Sequence, residues 1–217
     1  MSTSSSTGNR RQEILEQAAA LFAQHGYAGT SVRLIAGACD ITEAAIYRYF
    51  ESKLDLYEAV IRHKAALHDI VGHLAQHRSR GSIHDVLLAI SSHIIGLTQA
   101  DPDLMRLMFN SSLESGDVAT VLFQEIRLPY VAFLGEELAR RSETGEILPV
   151  DPRLTSRCFV GMVMDCALNI GIWENLHPTG HAPRDVYVNS SAIIARGLTR
   201  DHQAAPPGAT VFPGRNS

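Results

Sequence analysis

Cysteine, tryptophan and surplus positive charge are all scarce in this 217-residue chain. The three cysteines, Cys39, Cys158 and Cys166, have neither paired nor metal-type spacing, which argues against a disulfide scaffold and for reduced thiols in a cytoplasm. Net charge is −4, so bulk electrostatics do not announce a nucleic-acid binder. In the first 60 residues, Arg10, Arg11, Arg33, Arg48 and Lys53 face Glu13, Glu16, Asp40, Glu43, Glu51, Asp55 and Glu58, which is 5 − 7 = −2. Any contact with DNA must rest on where the cations sit, not on their number. No uncharged apolar run reaches the roughly 18 residues of a membrane helix, so no membrane partner is expected. The opening "MSTSSSTGN" lacks a signal peptide's apolar centre and reads as a disordered tail over 1–9. There is no phosphate loop, nucleophile elbow or zinc-hydrolase motif, so no catalytic residues are assigned. His73 and His77 share a helix face, but no cysteine or carboxylate completes a set with them, and neither a metal nor a cofactor is expected.

What is present reads as helices separated by punctuation. Ile14, Ala18, Leu21 and Phe22 recur at i, i+4, i+7 and i+8 over Arg11 to His25, and Gly26 follows as a stop. Thr30 or Ser31 can cap a short second helix that ends near Asp40, a residue tolerant of a left-handed turn. Thr42 can cap a third through Tyr49, and Ser52 a long fourth toward Arg78. Ser82, Asp101-Pro102, Asp117, Asp151-Pro152 and Pro183 open five more, with a kink near Ile126 ahead of Pro129. No alternating strand pattern persists. The fold class is all-α with about nine helices: a compact set over 10–56, a longer apolar set over 57–200, and a disordered tail over 201–217.

The stretch "ITEAAIYRYFESK" carries the functional reading. Two short helices around a tight turn make a helix-turn-helix, whose second helix offers its N-terminal residues to the major groove. Thr42, Glu43, Ala44 and Ala45 hold those places, and small side chains there let the backbone approach the duplex. Arg48 can reach guanine or phosphate; the hydroxyls of Tyr47 and Tyr49 can donate to phosphate oxygens. Lys53, Thr30, Ser31 and Arg33 are placed for backbone contacts, and an Arg10-Arg11 arm can add charge. The plain alternative has Tyr47 packing its ring in the core and Arg48 solvated.

Residues 10–61 resemble the DNA-binding region of the TetR family of bacterial transcriptional regulators. The resemblance rests on Ile14-Leu15, Ala18, Leu21-Phe22, Gly26-Tyr27, Thr30-Ser31, Ile35-Ala36, Ile46-Tyr47, Tyr49-Phe50 and Lys53-Leu54 in order. It implies a recognition helix over Thr42 to Tyr49 and phosphate contacts from Tyr47 and Lys53. Two positions depart from the pattern: Asp40 stands where a glycine is usual, and Glu43 where a cation is common. Glu43 repels phosphate but can accept from a cytosine amino group.

The resemblance also implies a homodimer, paired through residues 151–176 and 183–198, that reads a palindromic operator in double-stranded DNA. It further implies a small-molecule effector. Met105, Met108, Phe109, Phe123, Tyr130, Phe133, Met162 and Trp173 are candidates for lining a largely apolar pocket, and Asn110, Asp165 and Asn169 for orienting a ligand. The expected function is a cytoplasmic repressor released by its effector. The alternative is a helical enzyme or ligand carrier whose N-terminal helices are structural.

Overall fold

The computed structural model describes residues 3–114, 116–174, 176, 178 and 180–199, and every regular element among them is helical. Helix α1 (Thr3–Gly29) begins well ahead of Arg11, so residues 3–9 are helical and not the expected tail. The expected C-terminal tail, 201–217, lies outside the described residues. Gly26 breaks α1 with φ 71° and ψ 173°, a conformation open to glycine because it has no Cβ. Helix α2 (Val32–Ala38) is capped by Ser31 and buries Val32, Ile35 and Ala36. Asp40 turns the chain at φ 52°, and Thr42 caps α3 (Glu43–Ile46). Regular helix stops at Ile46, short of the expected Tyr49. Beyond it, Tyr49 N donates to Ile46 O at 2.9 Å and Phe50 N to the same carbonyl at 3.1 Å, a tighter winding that drops Phe50 into the core.

Ser52 caps α4 (Lys53–Leu67), but the fourth helix does not run on to Arg78. It breaks at Asp69, φ 43°, and α5 (Ile70–His77) follows in a new direction. The break coincides with a clamp: Lys64 and His68 reach the Asp101 carboxylate at 2.8 and 3.1 Å, which fixes the end of α4. Helix α6 (Ile83–Ala100) starts in a capping box between Ser82 and Asp85, and α7 (Pro102–Leu113) starts from Asp101 with proline at its first position. The expected kink ahead of Pro129 is a wide turn over Phe123–Arg127, joining α8 (Asp117–Leu122) to α9 (Leu128–Glu143). Proline has no N–H for the carbonyl four residues back, and its ring crowds that carbonyl; the chain widens until Leu128 N donates to Phe123 O. Helix α10 (Pro152–Leu168) passes into a second wide turn, Asn169–Trp173, before α11 (Pro183–Leu198). The breaks at Asp69 and at Phe123–Arg127 divide two of the nine expected helices, giving eleven α segments among the described residues.

Helix α6 lies at the centre of the larger unit, against α9, α10 and α11. Its contact with α11 is close because serines face each other: Ser91 Oγ and Ser191 Oγ are 2.7 Å apart and fully buried. By length and composition alone the rod Asp117–Glu143 could cross a membrane. It packs instead against α10 and α6 and carries a buried ion pair, Glu137 with Arg141 at 3.2 Å, as a core helix does. Arg141 also donates to the carbonyls of Arg80 and Gly81, stapling the turn before α6 to the end of α9.

Candidate nucleic-acid interface and effector cavity

Helix α3 is held from beneath by Ile46 and Phe50, both buried, which leaves its other face to solvent. Thr42, Glu43, Ala44 and Arg48 are exposed, and Tyr47 is 50% exposed. Ala45 and Tyr49 are half-buried; Tyr49 packs against the core beside Phe50. Thr42 Oγ1 accepts from Ala45 N at 3.2 Å, so that hydroxyl is partly spent on the helix cap. On α2, Ser31 Oγ similarly accepts from Leu34 N at 3.1 Å, while Arg33 is exposed.

Several residues expected at DNA are engaged by the protein. Thr30 is 1% exposed, and its hydroxyl donates toward Gly26 O at 2.8 Å and Leu21 O at 3.1 Å; it closes the turn after α1 and has no face for a phosphate. Lys53 donates to Tyr27 O at 2.7 Å and Thr30 O at 2.9 Å and lies 4.1 Å from the Tyr27 ring centre. Burial lowers the Lys53 pKa from its usual value, against a smaller opposing pull from Glu114. Two of its three N–H groups are thus spent on the fold. Nor is the Arg10-Arg11 arm free: Arg10 donates to Cys39 O at 3.3 Å and pairs with Glu13, and Arg11 lies over the Phe50 ring at 5.1 Å.

Helix α7 connects this unit to the larger one. Its C-terminal end grips α1 and α4: Asn110 Nδ2 donates to Ala23 O at 3.1 Å, Glu114 Oε1 accepts from Ala28 N at 3.3 Å, and the Ser111 and Tyr57 hydroxyls are hydrogen-bonded. Asn110 therefore faces α1 and not a ligand. Its N-terminal half supplies Leu104, Met105 and Met108 to an apolar cavity of about 10 Å³, closed further by Ile94, Leu97, Thr98, Ile126, Tyr130 and Met164. That volume holds roughly one water.

Of the expected ligand-binding residues, the cavity gathers Met105, Met108 and Tyr130, with Met164 in place of Met162. Phe109 is 43% exposed and Trp173 is 44% exposed. Phe133 packs under Arg78, Phe123 is half-buried in the wide turn, and Asp165 is exposed, accepting from Asn169 at 3.3 Å. Met162 and Met164 stand two residues, roughly 200°, apart around α10, so Met164 lines the cavity and Met162 does not. An open pocket of ≈ 490 Å³ adjoins the cavity, lined by Thr98, Gln99, Pro102, Met105, Arg106, Ile170 and Gly171. A wider open groove of ≈ 1130 Å³ runs between α9 and the start of α10, away from the candidates above.

Behind the cavity, Tyr130 Oη lies 2.7 Å from His93 Nδ1, and the His93 ring stacks on His73 with centroids 4.0 Å apart. Burial, and then the neighbouring His73, push the His93 pKa down to about 4. This joint between α5, α6 and α9 had no signal in the sequence, because the three residues are far apart in it. On the far side, α10 and α11 leave apolar side chains open: Leu154 is 61%, Val188 41% and Ile193 55% exposed.

Residues 14–60 match the family model described as bacterial regulatory proteins, tetR family. The chain is similar to the probable acrEF/envCD operon repressor of Escherichia coli K12, 34% identical over 85 residues, which cover 39% of this chain and only 37% of that repressor. In fold it is similar to the regulator FadR from Bacillus subtilis, solved in complex with stearoyl-CoA, at TM-score 0.71 and 17% identity over 86% of this chain and 98% of that one. It is also similar to AibR, solved in complex with isovaleryl coenzyme A and operator DNA, at TM-score 0.64 and 26% identity over 85% of this chain and 97% of AibR.

Proposed function

We propose that this chain, whose residues 14–60 match the tetR family model, is a sequence-specific DNA-binding repressor of the cytoplasm, released from its operator by a small, largely apolar effector. The observation that carries the reading is the outward face of α3, with Glu43, Ala44, Tyr47 and Arg48 open to solvent above a buried Ile46 and Phe50. Arg33, Tyr47, Arg48 and the third N–H of Lys53 contact phosphates or bases; Ser31 and Thr42 orient the helices that carry them. Residues 10–56 read the DNA, and 57–200 bind the effector and pair two copies. The homodimer presents two α3 helices to a palindrome with half-sites roughly 34–36 Å apart. Leu154, Val188 and Ile193 supply apolar surface for that pairing.

The α7 contacts support the coupling. An effector in the cavity displaces Met105 or Met108, and the same helix holds Ala23 and Ala28 of α1. It shifts the operator equilibrium only by its difference in affinity for the two arrangements, and DNA opposes it by the same factor. FadR and AibR were solved with coenzyme A thioesters, which are partly apolar; the cavity here, with room for about one water, must widen to take any such chain. Gel shift against the DNA upstream of the protein's own coding sequence tests the reading: a shift that excess random DNA does not compete away is expected. Equal competition by random DNA would overturn it and favour the enzyme or carrier.

A further inference from the structure

The closed cavity and the ≈ 490 Å³ pocket beside it share two lining residues, Thr98 and Met105. The pocket alone falls within the ordinary size range of small-molecule sites, roughly 300–1,000 Å³. Thr98 cannot move aside cheaply, since its hydroxyl donates to Ile95 O at 2.8 Å within α6. Met105 can: its unbranched side chain adapts its shape at small cost. Turning it joins an apolar chamber to an opening between α6, α7 and the wide turn after α10. The two spaces differ in chemistry. The chamber is walled by aliphatic, methionine and tyrosine side chains, whereas the opening is rimmed by Gln99 and Arg106. Arg106 is held loosely, with Nη1 at 3.4 Å from Asp103 and its side chain 61% exposed, so its remaining N–H groups are open to an anion.

We propose that this opening is the effector's way in, that Met105 is its gate, and that Arg106 anchors the anionic head of an amphiphile whose apolar chain lies in the ≈ 490 Å³ pocket and pushes its end past Met105 into the one-water chamber. The inference rests on the regulator reading and deepens it by naming the ligand class. A charged head remains at the wet rim, where it need not lose its water; only the end of the chain takes the dry space, which admits no charge without a partner. Asp103 and the head compete for Arg106, and a carboxylate that accepts two N–H bonds outdoes one long contact.

The protein carries its own reporter. Trp173 is its single tryptophan and belongs to the same wide turn, Asn169–Trp173, as the rim residues Ile170 and Gly171. Fluorescence titrations of the full chain would compare three probes with one chain length, below their micelle concentrations: decanoate, decanol and decyltrimethylammonium. Decanoate is expected to bind roughly tenfold more tightly than decanol, the scale of one charge-assisted hydrogen bond, and the cation most weakly. Arg106→Gln should bring decanoate and decanol to parity. Gly171 has nothing within 4 Å of where a Cβ would stand, so Gly171→Leu fits the fold while filling the opening, and should weaken all three probes. The proposal is overturned if decanol or the cation matches decanoate, if Arg106→Gln leaves the ranking intact, or if no probe binds the wild type. Gel shifts on the same proteins keep the two readings apart: operator binding that survives a failed ranking removes only the ligand class, whereas its absence from the wild type removes the regulator.

Discussion

Thr30 and Lys53 show how a residue can match a family pattern for reasons of folding. Both hold the turn between α1 and α2: Thr30 through the carbonyls of Leu21 and Gly26, Lys53 through those of Tyr27 and Thr30. Thr30→Val keeps the shape and removes the donor, leaving carbonyls unpaired in a buried place. It should cost about 1–3 kcal/mol in chemical denaturation while the folded fraction binds operator normally. A variant of unchanged stability and weakened DNA binding would return Thr30 to the contact surface. Lys53→Met should show both defects at once, lowering the thermal midpoint and reducing the salt slope of DNA binding by about 1. Arg48→Ala should lower the slope similarly without touching stability, since nothing in the fold leans on that side chain. His93 sets a pH dependence. Its folded pKa of about 4 lies below the usual 6.5, so the unfolded chain binds the extra proton between those values. Stability is therefore full above about pH 6.5 and falls as pH drops toward 4, by about 2 kcal/mol given the partial exposure of the ring. Denaturation midpoints of wild type and His93→Gln should converge in acid; parallel curves would show that the proton goes elsewhere.

At the scale of elements, the helices with local signals were legible, and the break at Asp69 was not. Ser52, Ser82, Asp101 and Asp151 cap the helices their spacing announces, because a cap is a contact within four residues. Pro129 marked its own disturbance for the same reason. Asp69 marked nothing, since the clamp that ends α4 comes from Asp101, more than thirty residues on. Helix α7 is the element on which the proposed coupling depends. Asn110→Ala with Glu114→Ala cuts its polar hold on α1 without entering the cavity. Hydrogen exchange should then quicken at the end of α1, around Ala23–Gly29, with α9 and α10 unchanged. Protection lost evenly over the whole chain would mean that α7 is only another part of a shared core.

For the whole molecule, the proposed function makes affinity a matter of charge and symmetry. A chain of net charge −4, with Arg10, Arg11 and much of Lys53 engaged internally, has few cations left for DNA. In the proposed regulator one subunit would therefore bind weakly, and two joined α3 helices far better, because the second contact becomes intramolecular. Ile193→Asp puts a charge on the exposed apolar face of α11 and should turn a dimer into monomers in sedimentation, with operator affinity falling by at least tenfold. Unchanged sedimentation would move the pairing surface elsewhere, the groove between α9 and α10 being the next place to look.

The amino-acid order alone determined the helical class, the helix starts that carry a capping side chain and most of the outward set on α3, because periodicity, caps and short turns are interactions among near neighbours. Tertiary structure alone decided which members of that set still have hands free, which methionine faces inward, and that one helix touches both the cavity and α1. Those outcomes depend on contacts between distant segments, such as Lys53 with Tyr27, Asn110 with Ala23 and Tyr130 with His93, whose partners become neighbours only when the chain has packed.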